Sequence, residues 1–270
     1  VTAVRPRRSC LTVPGDDERK LAKAAASAAD EVVVDLEDAV APARKEEARE
    51  IAARALRELE WRPPMVALRI NGRATSWWAD DVELLRTLPV ATVVVPKVES
   101  LDDVTGLSVP VEALIETAAG LVACEQIAQS PAVEALIVGP GDLAASLGIP
   151  ELTIGAGAHL DYALPRVLVA ARAAGIAAID GPFPAFADEA GFELSAQRTR
   201  QLGYDGKWCI HPVQIERANR IYGATSEEVE RARRILASEG VTTLDGEMVD
   251  EANRRMARAT LARAGLDAID

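Results

Sequence analysis

Short apolar runs recur along this chain, and each stops at a polar or charged residue. Ser9 to Val13 runs into Pro14-Gly15, and Glu31 to Leu36, which contains Asp35, ends at Glu37-Asp38. Met65 to Ile70 carries Arg69 and stops at Asn71. Ala91 to Val95 ends at Pro96-Lys97, Val111 to Ile115 at Glu116, and Glu134 to Val138 just before Gly139-Pro140-Gly141-Asp142. Ile176 to Ile179 ends at Asp180-Gly181, and Lys207 to Ile210 at His211-Pro212. Roughly eight β-branched runs separated by helix-length segments read as parallel strands joined by helices. The pattern predicts an α/β fold, a (β/α)8 TIM barrel whose C-terminal strand ends share one rim. Glu37, Asp38, Arg69, Lys97, Glu116, Asp142, Asp180 and His211 would then meet in space, though scattered in sequence.

The intervening segments suit helices. They are Asp16 to Ala29, Pro42 to Leu59, Ser76 to Leu88, Ala118 to Gln129, Ala158 to Ala174 and Asp188 to Leu202. Acidic residues open the first, and Pro42 stands at the start of the second, both favourable at helix N-termini. Beyond the last strand, helical pattern continues at Val213 to Tyr222, Ser226 to Ser238 and Glu247 to Ala264, with a turn-rich connection from Gly240 to Gly246. This divides the chain into a barrel domain over 1–220 and a helical C-terminal arm or lid over 221–270. The arm would close a site, join copies, or pack as extra helices on the barrel.

Length and composition agree with this picture. A chain of 270 residues, 49% hydrophobic and 27% charged, is a normal size for one soluble barrel. No apolar stretch is long enough for a membrane span, and the basic start Val1 to Arg8 lacks the apolar core of a signal peptide. The expected compartment is the cytoplasm, with no membrane partner. The net charge of −12 argues against nucleic-acid binding and opposes long-range attraction of anions, so any phosphate or carboxylate site must be built locally. Cys10, Cys124 and Cys209 have no metal-ligand spacing and read as reduced, mostly buried thiols. Cys10 and Cys209, in the first and last strands, would become neighbours when the barrel closes.

Glu116 and Asp142 are the strongest pair of candidates. Each follows a strongly apolar strand, and two rim carboxylates with open remaining positions suit Mg2+. Ordinary rim salt bridges are the competing reading. Zinc is disfavoured, because the only histidines are His159 and His211. In Asp35-Leu36-Glu37-Asp38, alternation sends Asp35 and Glu37 to one face and Asp38 to the other. Glu37 and Asp38 would hold metal-bound waters or fix a basic neighbour, or Asp38 would cap a helix. Arg69, costly near the end of an apolar strand, would clamp a carboxylate or pair with Glu37 or Glu116. Lys97 has the same two readings. Gly139-Pro-Gly141-Asp-Leu-Ala144 loosely matches a dinucleotide fingerprint, but it lies mid-chain with Asp142 aimed where a pyrophosphate would sit. Its glycines, Gly141 among them, better serve to let backbone N–H groups approach a ligand carboxylate or oxyanion. No nucleophile elbow, Walker loop or Cys-x-x-Cys pair occurs.

Taken together, these stretches resemble the citrate lyase β-subunit-like (CitE-like) family of the HpcH/HpaI aldolase superfamily. The matching segments are Leu11-Thr-Val-Pro-Gly15, Val34-Asp-Leu-Glu-Asp38, Leu68-Arg-Ile-Asn71, Val95-Pro-Lys-Val-Glu99, Leu114-Ile-Glu-Thr-Ala118, Gly141-Asp-Leu143, Ala178-Ile-Asp-Gly-Pro182 and Gly206-Lys-Trp-Cys-Ile-His-Pro212. The resemblance spans nearly the whole chain in order. It implies a TIM barrel that works on CoA or acyl-carrier thioesters with Mg2+, held by Glu116 and Asp142. It further implies that Arg69 holds the carboxylate of a 2-oxo acid and that Glu37 and Asp38 support metal waters. The segment Asp245-Gly-Glu-Met-Val-Asp250 resembles the family's C-terminal element. Its last aspartate, Asp250, would be the acid/base on the thioester α-carbon, reaching in from a neighbouring subunit of a homotrimer or homohexamer. The loop Val138-Gly-Pro-Gly-Asp142 departs from the CitE-like pattern, which usually carries Glu before the Asp, and is nearer the pyruvate-aldolase branch.

The resemblance implies a lyase that cleaves a malyl-, citramalyl- or citryl-type thioester into an acyl thioester and a 2-oxo acid. Lys20 and Lys23, with Arg19, are candidates for holding the CoA handle; a solvated helix face explains them equally. Three rival activities stand beside the lyase: a malyl-CoA thioesterase, a free pyruvate-type aldolase, and a carrier-dependent subunit of a larger lyase complex.

Overall fold

The structure is a computed structural model and describes residues 6–149 and 160–266. Ala158 and His159, which open one expected helix, lie outside the described residues. Eight parallel strands close in sequence order: β1 Ser9–Pro14, β2 Glu31–Asp35, β3 Met65–Arg69, β4 Thr92–Val95, β5 Val111–Ile115, β6 Val133–Val138, β7 Ala177–Asp180 and β8 Gly206–Cys209. The seam is formed by β1 against β8, with Leu11 opposite Cys209. The chain therefore folds as a TIM barrel followed by C-terminal helices.

Alternation along each strand explains why the middle of the runs is mostly apolar on both faces. Cys10, Val33, Ala67, Val94, Leu114, Ile137, Ile179 and Trp208, one from each strand, form a single interior cluster. Their neighbours, among them Leu11, Val34, Leu68, Val95, Ile115 and Val138, face outward and belong to the larger cluster under the helices. With both faces covered, such strands lose the polar alternation of a half-exposed sheet. The same rule sets the chemistry at the ends. Two residues after Val33, Ala67 and Leu114 come Asp35, Arg69 and Glu116, inside the barrel at its C-terminal mouth.

The helices are α1 Glu18–Ala25, α2 Lys45–Glu58, α3 Trp78–Leu85, α4 Ala118–Ala128, α5 Pro140–Ser146, α6 Leu160–Ala174, α7 Glu189–Leu202 and α8 Val213–Tyr222. Several start at side-chain caps just beyond a strand: Asp17 accepts from Lys20 N, Thr117 from Gly120 N, and Asp188 from Gly191 N. Pro42–Arg44 forms a 3-10 turn ahead of α2, so the second expected helix begins tighter than an α-helix. That turn is preceded by Ala41, and Asp38 caps nothing.

Three expectations are corrected by the backbone. Cys10 and Cys209 are on neighbouring strands but on opposite faces, Cys10 in the interior and Cys209 under the helices. Asp180, one residue after the inward Ile179, points outward, where Lys207 Nζ and Thr199 Oγ1 donate to Asp180 Oδ2. It does not join the rim acids. Finally, the stretch from Gly240 to Val249 is a hairpin: β9 Thr242–Leu244 pairs antiparallel with β10 Glu247–Val249. The turn between them is Asp245-Gly246, both with positive φ (54° and 83°), the conformation that Asp-Gly favours in a two-residue turn. The last helix, α10 Glu251–Arg263, therefore starts four residues later than its hydrophobic pattern predicts, at an Asp250 cap.

The hairpin, α10 and α9 (Ser226–Leu236) build a small core of their own from Ala232, Ile235, Val249, Ala257 and Leu261. A buttress to the barrel is the pair Arg200–Glu228, at 2.6 Å between α7 and α9.

Candidate active site

At the C-terminal mouth the end of β2 meets the end of β3. Arg69 gives its Nε to Asp35 Oδ1 at 2.7 Å and its Nη2 to Asp35 Oδ2 at 2.5 Å. Its Nη1 lies 3.0 Å from Glu37 Oε2, and the guanidinium stands 5.3 Å from the ring centre of Trp208. Burial works against the charge on Arg69, but Asp35, Glu37 and Asp38 more than offset it, so the group is held firmly protonated. Asp35 does more than pair. Its two oxygens also accept the backbone N–H groups of Glu37 and Ala39, which curls the chain back over the barrel mouth. Asp35 and Glu37 thus share Arg69, as alternation implies, while Asp38 has a side chain 60% exposed and 4.0 Å from Arg69 Nη1.

Buried Lys45 locks this loop from the outside. Its Nζ donates to Leu36 O at 2.7 Å and Glu37 O at 2.6 Å, and sits 5.1 Å from the ring centre of Trp77. Burial lowers its pKa, opposed by Asp35, Glu37, Asp81 and Asp38.

The third element is Lys97, after β4. Its φ is +52°, a left-handed backbone uncommon for a residue with a side chain. The twist turns both ends of the residue to the rim: the backbone N–H donates to Glu116 Oε1 at 2.9 Å, and Nζ lies 2.7 Å from Glu37 Oε1. Nζ is also 3.8 Å from Glu116 Oε1 and 3.8 Å from Asp142 Oδ1. Glu37, Glu116 and Asp142, from three different strand ends, therefore surround one cationic point. Glu116 is 3% exposed, whereas the Asp142 side chain is 45% exposed. Burial, with Asp142 and Glu37 adding to it, pushes the Glu116 carboxyl up to about 8 against the pull of Lys97 and Arg69.

Asp142 stands in the first turn of α5, which Pro140 opens. The loop before it is shaped around Glu116. A Cβ on Gly139 would fall 2.5 Å from Glu116 Oε2, and one on Gly181 would fall 2.1 Å from Val138 O. Gly141 is exposed with open space where a Cβ would go, so its backbone is accessible to a ligand.

The donor set fits Mg2+ chemically. Glu116 and Asp142 offer hard oxygen donors turned toward one point from adjacent strands, with Glu37 across from them. Among the described residues, no group of three or more His, Cys, Asp or Glu side chains is placed to hold a metal ion together. A two-carboxylate site, completed by water and substrate, is what this arrangement offers.

The remaining expected residues fall in different places. Lys20 lines a cleft of about 590 Å3 at the same rim, with Pro14, Ala39 and Arg44. Asp16, Asp17, Glu18 and Glu47 line it too, so the basic charge there is already countered. Arg44, absent from the sequence expectations, bonds to Asp16 and Glu47 in that cleft. Lys23 is exposed on α1 and does not line it. His211 stacks on Phe186 with ring centres 4.9 Å apart, and its Nδ1 accepts from Val213 N at 3.3 Å. Asp250 caps α10, its Oδ1 accepting from Ala252 N and Asn253 N. It belongs to the arm, whose core is separate from the barrel.

A closed eight-stranded barrel with acids and a buried arginine gathered at its C-terminal mouth defines the class: a TIM barrel of the enzyme type, with its charged groups where such barrels keep their active sites. The HpcH/HpaI aldolase/citrate lyase pattern matches residues 8–113 and 105–212. The chain belongs to that family. It is 36% identical over 275 residues to a (3S)-malyl-CoA thioesterase of Cereibacter sphaeroides, covering 96% of this chain and 95% of that one. It is 35% identical over 302 residues to an L-malyl-CoA/β-methylmalyl-CoA lyase of the same species, with the same coverage. Among solved structures, CitE from Mycobacterium tuberculosis in complex with magnesium, acetoacetate and coenzyme A superposes with a TM-score of 0.83 at 35% identity, over 98% of this chain and 100% of that one.

Proposed function

We propose that this protein is a Mg2+-dependent carbon–carbon lyase that splits a malyl-, citramalyl- or citryl-type CoA or acyl-carrier thioester into an acyl thioester and a 2-oxo acid. The observation that carries the reading is the convergence of Glu116 and Asp142 on one cationic point beside Glu37, with Arg69 at the next strand end. Glu116 and Asp142 would hold Mg2+, whose charge withdraws electron density from the oxygen at which the new carbonyl forms.

The chain's own groups do the rest. Arg69, fixed by Asp35 on one edge, keeps Nη1 toward the mouth, where it would hold the carboxylate of the 2-hydroxy acid part. Glu37, neutralised by Arg69 and Lys97, orders water or substrate hydroxyl at the same point. The hydroxyl gives up its proton to a rim carboxylate, the carbon–carbon bond breaks, and the pair of electrons moves into the thioester as an enolate. Asp250 of a neighbouring copy then protonates the enolate carbon, or removes that proton in the condensation direction. This step requires an assembly that shares its arms, for which the family resemblance implies a homotrimer or homohexamer. Gly141 offers its backbone N–H to the substrate carboxylate, and Lys20 and Arg44 line the cleft open to the thioester handle.

A second reading is favoured by the 36% identity to a malyl-CoA thioesterase. Incubation with a panel of malyl-type thioesters separates the two. Stoichiometric 2-oxo acid and acyl-CoA supports the lyase, and free CoA with intact malate supports the thioesterase. Lyase turnover that survives complete removal of divalent metal overturns the Mg2+ assignment.

A further inference from the structure

The interior of the barrel holds a second charged cluster, at the end opposite the mouth. Two residues before Val33 and Leu114, alternation places Glu31 and Glu112 inside, and both are fully buried. Arg7, just ahead of β1, lies across this floor. Its Nη1 is 3.5 Å from Glu112 Oε1 and its Nε is 4.0 Å from Glu31 Oε2, while Nη2 meets Glu134 of β6. Arg7 Nε also donates to Met65 Sδ of β3. Among the described residues, none of the four carboxylate oxygens of Glu31 and Glu112 has a hydrogen-bond partner, and neither has Arg7 Nη1.

Among the described residues, the charges that face Glu112 are few. They are Arg7 from the segment before β1 and Glu31 from β2; Glu134 from β6 reaches Arg7 at the edge, with a side chain 35% exposed. From β4, Thr92 spends its hydroxyl hydrogen on Pro110 O. From β1, Cys10 is a thiol that burial keeps neutral. Among the described residues, one guanidinium thus faces two carboxyl groups that are shielded from bulk solvent. Two ionised, unpartnered carboxylates at 0% exposure carry a large desolvation penalty, and a single cation in loose contact does not offset both. A proton on one of them removes a charge and creates the O–H donor that the orphan oxygens lack.

We propose that Glu31 and Glu112 share one proton beneath Arg7, so that the barrel floor carries one buried negative charge against one positive and is a proton-linked lock on the closed barrel. The inference is independent of the reading of the mouth. Burial, together with the neighbouring Glu31, raises the Glu112 pKa well above the ordinary carboxyl range, with Arg7 opposing. The sign of the pH effect follows. In the unfolded chain the carboxyl ionises at its ordinary pKa, so unfolding releases the stored proton. Stability contributed by the neutral form is full below the ordinary carboxyl range and declines as pH rises toward the raised folded value.

The test is a pair of glutamine variants with an infrared measurement on the whole protein. At neutral pH a Glu116→Gln background, which removes the other carboxyl that burial pushes up, should show the C=O stretch of a buried protonated carboxyl, and this band should vanish when Glu112→Gln or Glu31→Gln is added. Glutamine mimics the protonated group, so the Tm of Glu112→Gln should gain on the wild type as the pH is raised from about 6 to about 9. Arg7→Met removes the cation that favours ionisation, so the band should persist to higher pH. The lock is overturned if the Glu116→Gln protein lacks the band, or if Glu112→Gln melts below the wild type by a margin that grows with pH, the behaviour of an ionised pair. Should neither floor variant fold, the band in the Glu116→Gln protein and its response to Arg7→Met decide.

Discussion

Lys97 binds Glu116 through its backbone, N to Oε1 at 2.9 Å, and Glu37 through its side chain, Nζ to Oε1 at 2.7 Å. One residue in a left-handed conformation therefore couples the ends of β2, β4 and β5, and brings a positive charge to the point where three carboxylates meet. In Lys97→Met the carboxylates would repel one another around the half-buried gap. The variant should melt below the wild type in metal-free buffer, and Mg2+ should raise its Tm more than that of the wild type. Thermal melts with and without Mg2+ measure this; equal Mg2+ shifts in the two proteins would show that cation and ammonium do not share the site.

Glu116→Gln and Asp142→Asn keep the shape of each side chain and remove the charge. Each should abolish Mg2+-dependent turnover and reduce Mg2+ binding by calorimetry, and EDTA should do the same to the wild type reversibly. Because Asp142 is partly exposed and contributes little to the core, its variant should fold with nearly unchanged Tm. Near-normal turnover by either variant would remove the pair from the metal site.

Gly139 is the most sharply constrained position of the loop. A methyl group there would lie 2.5 Å from both Cβ and Oε2 of Glu116, so Gly139→Ala must displace that side chain. Misplaced support of a metal ligand typically costs about 10- to 100-fold in affinity or activity. A loss of that order in kcat/KM, with far-UV circular dichroism unchanged, is the expected result.

Much of this was legible in the chain. The eight strand ends could be read because runs buried on both faces are mostly apolar and β-branched, and Glu37, Arg69, Lys97, Glu116 and Asp142 do meet. Asp180 could not be placed, since moving a strand end by one residue reverses the face, and it faces Lys207 instead. Asp35 was visible as an acid but not as the anchor of Arg69 and its own loop; counting by twos from Val33 and Ala67 identifies both as interior. Lys45 carries a weak signal, a lysine on the same helix face as buried Ala48 and Ala52. The hairpin was signalled by Asp245-Gly246, but the flanking strands, three residues each, are too short to show alternation.

Asp250 has two separable duties. As the cap of α10 it accepts two backbone N–H groups through Oδ1, and asparagine caps as well as aspartate. As the proposed acid/base in a neighbouring copy's mouth it needs an ionisable carboxyl, which asparagine lacks. Asp250→Asn should therefore leave Tm unchanged and still bind the 2-oxo acid, yet stop exchange of the acyl-thioester α-hydrogens with solvent. Asp250→Ala should lose the exchange and also about 1 kcal/mol of stability through the missing cap. Hydrogen–deuterium exchange of the acyl thioester, followed by mass spectrometry beside melting curves of both variants, separates the two. Mixing Asp250→Asn with Arg69→Met protein should then restore a fraction of activity, because a hybrid assembly places an intact arm over an intact mouth. Complementation that fails in assemblies shown to exchange subunits would assign the proton to a residue of the same copy.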